Sequence, residues 1–103
     1  MKKIIFFVPL SHSEQVKEAV FEAGAGAIGN YDRCCFETLG TGQFRPLEGA
    51  SAFVGSVGEV ETVQELRIEL VCENKLIHDV IKALFASHPY ETPAYEVYSI
   101  EDY

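Results

Sequence analysis

From Glu65 to Glu73 apolar and charged residues take turns. Leu66, Ile68, Leu70 and Cys72 fall on one side of an extended chain, and Glu65, Arg67, Glu69 and Glu73 on the other. A period of two suits a strand whose sheet is covered on one face and open on the other. That strand limits the fold, because its apolar side needs a layer of helices.

The sequence provides two helical stripes. Val16, Ala19, Val20 and Ala23 recur at helical spacing after Ser11-His12-Ser13-Glu14, which has the form of a capping box, and Gly24 ends the run. Ile77, Val80, Ile81, Leu84 and Phe85 form a second stripe, with Asn74 as its cap and His88-Pro89 as its stop. Lys3 to Pro9, Tyr31 to Leu39 and Ala94 to Ile100 read as three further strands. The order β-α-β-β-α-β predicts an α+β fold: a ferredoxin-like sandwich of two helices on a four-stranded antiparallel sheet, in one domain spanning residues 1–103. Between the second and third strands the pattern leaves a long glycine-rich loop, 40–58. Its apolar Phe44, Pro46, Leu47, Phe53 and Val54 predict burial against a neighbouring subunit.

Composition excludes several functions. The 103 residues carry 8 Lys and Arg against 16 Asp and Glu, a net charge of −8. Neither nucleic acid nor an anionic membrane surface is an expected partner, since both are bound through basic side chains. The longest apolar run, Ile4 to Leu10, is far below the roughly 20 residues of a membrane span. Ser11-His12-Ser13-Glu14 follows it where a signal peptide needs small residues. Three cysteines without C-x-x-C spacing point to neither a disulfide framework nor a zinc ribbon, and a cytoplasmic location is the expectation.

Gly24-Ala25-Gly26-Ala27-Ile28-Gly29 matches the dinucleotide fingerprint in letters. Its context is reversed, with a helix before it and a strand after it, so it reads as a helix stop. Cys34 and Cys35 are adjacent and point to opposite faces of a strand, which prevents joint chelation. His78 is a surface residue of the second helix, whereas His12 opens the first helix and His88 closes the second. His88-Pro89-Tyr90-Glu91-Thr92-Pro93 places an imidazole and a carboxylate three residues apart in a rigid turn. Two readings stay open there: a capped helix end with Tyr90 packed, or a metal or proton-transfer site. Arg67 is either part of an ion-pair ladder or an anchor for a partner group.

A longer set of residues carries a resemblance. Val8-Pro9, His12, Ala23-Gly24-Ala25-Gly26, Ile28-Gly29-Asn30-Tyr31-Asp32 and Gly40-Thr41-Gly42-Gln43-Phe44-Arg45-Pro46 occur in order. Gly49-Ala50, Val54-Gly55, Gly58, Glu65-Leu66-Arg67-Ile68-Glu69 and His88-Pro89-Tyr90-Glu91-Thr92-Pro93-Ala94-Tyr95 follow. Over nearly its whole length the chain resembles the inserted domain of the Nif-three-like (YqfO) family, including members that consist of this domain alone. The resemblance implies a fold similar to the PII and CutA proteins, which are commonly trimeric. It also implies that the dinuclear metal centre and the cyclohydrolase name of the longer members rest on flanking lobes and do not transfer. Ser51-Ala52-Phe53 departs from the family pattern, which has a proline before the aromatic residue.

The functional expectation is a non-catalytic binding or regulatory module, a homo-oligomer with trimer favoured, taking a divalent metal ion or a small metabolite. His12, His88 and Glu91 are the candidate metal ligands; Arg67, Phe44 and Tyr90 are the candidate ligand-binding residues. The alternatives are a structural domain that docks a larger protein partner, or a small enzyme using His88 and Glu91 as an acid–base pair. The second alternative lacks a nucleophile, cofactor motif or oxyanion element.

Overall fold

The computed structural model describes residues 1–103. Four strands, β1 (Lys2–Pro9), β2 (Phe36–Phe44), β3 (Glu61–Cys72) and β4 (Tyr95–Ser99), form one sheet in the order β2-β3-β1-β4. All three pairings are antiparallel. Helices α1 (Ser13–Glu22) and α2 (Ile77–Ser87) pack together on one side of it. This is the ferredoxin-like arrangement that the order of elements predicts.

Register explains the core. Ile4, Phe6 and Val8 of β1 stand opposite Leu70, Ile68 and Leu66 of β3, so all six point to the helix side. Val16 and Val20 of α1 and Val80 and Leu84 of α2 close over them, and Cys72 and Ala25 fill the end of the same cluster. Phe85 lies at the margin of the stripe and packs edge-on to Tyr95, with ring centroids 5.5 Å apart. The open side carries the other set: Lys3, Ile5 and Phe7 opposite Val71, Glu69 and Arg67.

Both helix starts differ from the expectation. Short 3-10 turns, Leu10–His12 and Asn74–Leu76, precede α1 and α2, and neither helix has a side-chain cap. The Ser11 hydroxyl shares a hydrogen bond with His12 Nδ1 at 2.8 Å instead, and the 3-10 turns satisfy amides that a cap would otherwise take. The end of α1 follows expectation. Gly24 N–H donates to Phe21 O and Ala25 N–H to Val20 O, the paired bonds of a Schellman motif.

Gly26 continues that turn into the sheet. Its N–H donates to Val71 O at 2.7 Å and its carbonyl accepts from Cys34 N–H, which staples the segment after α1 to β3. Its φ is +84°, and a Cβ would fall 2.9 Å from Cys34 O. Gly26→Ala is therefore expected to lower stability by more than about 1 kcal/mol. Urea melts of the variant and the parent check this, and equal midpoints would contradict it.

Strand β2 does not begin at Tyr31. Residues 31–35 form an irregular link, in which Arg33 (φ 54°) pairs with Glu18, Glu22 and Asp32. Cys34 and Cys35 lie on this link rather than on a strand. The strand runs on through Gly40, Thr41 and Gly42 to Phe44, and β3 starts early at Glu61, so the loop between them is 45–60 rather than 40–58. Residues of poor strand propensity are held extended by nine paired positions along β3. The resulting ribbon reaches beyond the helices. The chain measures 46 × 24 × 24 Å with a radius of gyration of 14.5 Å, against about 13 Å for a sphere-like domain of this length. Its accessible surface, 6614 Å², also exceeds the about 5,800 Å² of a typical monomer of its mass.

Candidate functional site

The open face of the sheet is not flat. The 45–60 loop lies against the β2–β3 ribbon, and the turn after α2 meets that loop at the near end. Between them lies a groove of about 580 Å³, within the usual range for a small-molecule site. Phe7 and Arg67 form part of the floor, Phe44 and Phe53 stand at the sides, and Tyr90 and Glu91 enter from the turn.

His88 sets the position of that turn. It is 7% exposed, and both ring nitrogens are occupied. Nε2–H donates to Phe7 O at 2.7 Å, which leaves Nδ1 unprotonated to accept the Tyr90 N–H at 3.1 Å. Burial is the main cause that pushes the imidazole pKa below its ordinary value, with nearby His12 acting in the same direction. The hydrogen bond to Phe7 and the carboxylate of Glu65 oppose the shift. His88 is thus a neutral brace between β1 and the turn.

The brace aims Tyr90 across the groove. Its ring lies 4.9 Å from that of His88, 6.0 Å from that of Phe44 and 6.2 Å from that of Phe53. Its hydroxyl donates to Glu65 Oε2 at 2.8 Å. Burial, then the bond to Glu65, raises the phenol pKa well above its usual range, so Tyr90 keeps its proton. The loop is tied down at two points. Ser51 N–H donates to Glu91 Oε2 at 3.1 Å, and Phe53 packs edge-on to His12 with centroids 5.2 Å apart.

Gly42 explains how Glu65 fits. A Cβ at this position would fall 1.9 Å from Glu65 Oε1. The missing side chain lets the carboxylate lie over β2 while Tyr90 holds its other oxygen. Arg67, two residues along the same face of β3, makes one long contact, Nε to Glu69 Oε2 at 3.7 Å. Its Nη atoms form no ion pair or side-chain hydrogen bond within the chain.

The structure therefore brings Phe44, Arg67 and Tyr90 to one groove, with Glu91 at its rim. His12 and His88 flank it, each packed against one of its aromatic rings. As metal ligands, His12, His88 and Glu91 do not converge. No group of three His, Cys, Asp or Glu in the chain could hold an ion, and Glu91 already receives a loop amide. Sequence reasoning left Glu65, Phe53 and Phe7 out of the site. The first two were visible as a strand carboxylate and a loop aromatic, but their meeting at Tyr90 is a long-range contact. Burial raises the pKa of the Cys35 and Cys72 thiols, so neither of these two is activated.

The fold defines the class first: the chain has a ferredoxin-like fold of the CutA and PII kind. The Archaeoglobus fulgidus periplasmic divalent cation tolerance protein CutA superposes with a TM-score of 0.70 at 20% identity, over 99% of this chain and 86% of that one. A divalent cation tolerance protein from Thermus thermophilus gives 0.69 at 20% identity, over 99% and 86%. At that identity the likeness shows the fold alone.

The sequence narrows the class. A Bacillus cereus protein related to NIF3 superposes with a TM-score of 0.83 at 46% identity, over 98% of this chain and 26% of that chain. The Bacillus subtilis GTP cyclohydrolase 1 type 2 homolog is 46% identical over 101 residues, covering 98% of this chain and 27% of its own length. Its Halalkalibacterium halodurans counterpart is 47% identical over 98 residues, covering 95% and 26%. No protein-family profile matches the chain. The chain is thus similar to one CutA-like segment of the Nif-three-like (YqfO) proteins, and it spans about a quarter of the length of those relatives. Its own residues do not fit a dinuclear metal centre, because they supply no three-ligand group.

Proposed function

We propose that the chain is a non-catalytic binding or regulatory module that holds a small metabolite in the groove on the open sheet face. The observation that carries this reading is the convergence of Arg67, Phe44 and Tyr90 on one cavity of about 580 Å³. Arg67 anchors an anionic group of the ligand, and the rings take its apolar part. His88 has no free nitrogen for proton transfer, which favours binding over acid–base chemistry. A divalent cation at His12 and Glu91 needs further ligands from a second copy, because this chain offers no three-ligand group.

The test is a metabolite screen read by thermal shift. Compounds that raise the melting temperature of the parent are expected to lose most of that effect in Phe44→Ala, whose side chain touches Tyr90 in the groove. A screen in which every hit stabilises both proteins equally places binding elsewhere and overturns the reading.

The assembly we propose is a homo-oligomer, with three copies favoured by the CutA-like fold. Phe36 (68% exposed) and Tyr98 (51% exposed) stand on the open sheet face, and the outer edge of β2 is unpaired. The surplus surface noted above has the same explanation. Light scattering should give about three times the 11.4 kDa chain mass. A single-chain mass at micromolar concentration contradicts it. No helix is long and apolar enough to cross a membrane.

A further inference from the structure

The groove has a polarity that narrows its ligand, and the inference rests on reading it as a ligand site. Its charged lining is Glu65, Glu91 and Arg67, two carboxylates against one guanidinium, in a chain of net charge −8. A polyphosphate finds one cation and two repelling groups there. Glu91 is already engaged by the loop amide. Glu65 is different: Tyr90 fixes Oε2, while Oε1 lies over the bare backbone of Gly42, itself part of the lining. Phe44, Tyr90 and Phe53 line the same groove, and Tyr90 packs against the other two rings while its hydroxyl holds the Glu65 carboxylate. Aromatic faces beside a carboxylate are the surroundings that recognise an ammonium group. Arg67 is on the same face of β3 two residues away, about 7 Å along the strand, with its Nη atoms unengaged.

We infer that the groove binds a small zwitterion, with its ammonium on Glu65 and the Phe44–Tyr90–Phe53 rings and its carboxylate on Arg67. Their backbone positions, about 7 Å apart along β3, suit an amine and a carboxylate joined by a short carbon chain, and Arg67 reaches the carboxylate through Nη atoms left free by its single long contact to Glu69. The polar ends fix orientation, and the methylene or methyl groups between them cover the rings.

The test is calorimetric titration of the full chain with 5-aminopentanoate, glycine betaine, tetramethylammonium, acetate and ATP. Saturable binding of 5-aminopentanoate or betaine is expected, weakened about tenfold or more by Glu65→Gln and by Phe53→Leu, which keeps an apolar side chain in the loop. Arg67→Gln should weaken the zwitterions and spare tetramethylammonium, a split that a general loss of fold cannot produce. Binding of ATP or acetate without the ammonium compounds overturns the zwitterion and leaves the groove as a site for anions. Binding of none of the five overturns the zwitterion, and the fate of the groove then rests on the thermal-shift comparison with Phe44→Ala.

Discussion

Replacing Phe6 with alanine is expected to remove about 3–5 kcal/mol of stability. Phe6 has no exposed surface and lies at the middle of β1, paired with Ile68 on one side and Tyr95 on the other. Its ring fills the space between the sheet and the two helices, within the cluster formed by Val16, Val20, Val80 and Leu84. Truncation leaves a void that the surrounding strands cannot close, because both neighbours are locked in register. A domain of this size has a total stability of about 5–15 kcal/mol, so the loss is a large share of it. Urea denaturation at fixed protein concentration measures the change, since assembly couples to unfolding. A loss below about 1 kcal/mol would mean that Phe6 does not pack in the core.

His88→Ala is expected to have the second large effect, about 2–4 kcal/mol. It leaves the Phe7 carbonyl and the Tyr90 amide without their imidazole partners in a part-buried place. It also releases Tyr90 from its position over Glu65, so the groove should lose affinity along with the fold. The same residue makes stability depend on pH. Its folded pKa lies below the ordinary 6.5, with burial as the chief cause. The unfolded chain therefore takes up a proton first as pH falls. The stability that neutral His88 contributes is complete above the unfolded value, and declines as pH drops from there through the lowered folded value. Melts of the parent and of His88→Gln across that range separate this contribution from the carboxylates. The parent should show the steeper decline below pH 6.5, and parallel curves would contradict the assignment.

Much of the fold could be read locally. The period of two in β3 and the helical stripes of α1 and α2 specify which side chains enter the core, and the buried set of Ile68, Leu70, Cys72, Val80 and Leu84 follows from them. The ends of elements were less legible. Ser11 and Asn74 have capping chemistry, yet each lies in a 3-10 turn before its helix. Gly40, Thr41 and Gly42 have the composition of a loop, but pairing with β3 holds them in a strand. Local propensity is weak against a continuous ladder of backbone hydrogen bonds.

The site divides in the same way. Phe44, Arg67 and Tyr90 stood out as separate residues, and the pairing of β2 with β3 together with the turn after α2 brings them to one groove. The imidazole and carboxylate of the turn read either as a capped helix end with Tyr90 packed or as a metal or proton-transfer pair. Within this chain His88 braces the backbone through both nitrogens, and Glu91 receives the loop. The role of Gly42 depends on Glu65, its near neighbour across the ribbon, and no pattern within one strand contains it. Contacts between elements decide which polar residues face a ligand and which hold the scaffold.

The central claim is that the open-face groove, rather than any other part of the surface, is where a small ligand binds. Amide chemical shifts of the ¹⁵N-labelled protein, recorded during titration with a compound from the thermal-shift screen, test this most directly. The account predicts the largest changes in β2 from Thr38 to Phe44, at Arg67, and in the turn from Tyr90 to Thr92, all of which line the groove. Changes concentrated instead around Ile28, Cys34 and Phe36, at the smaller depression on the other part of the sheet, would contradict it.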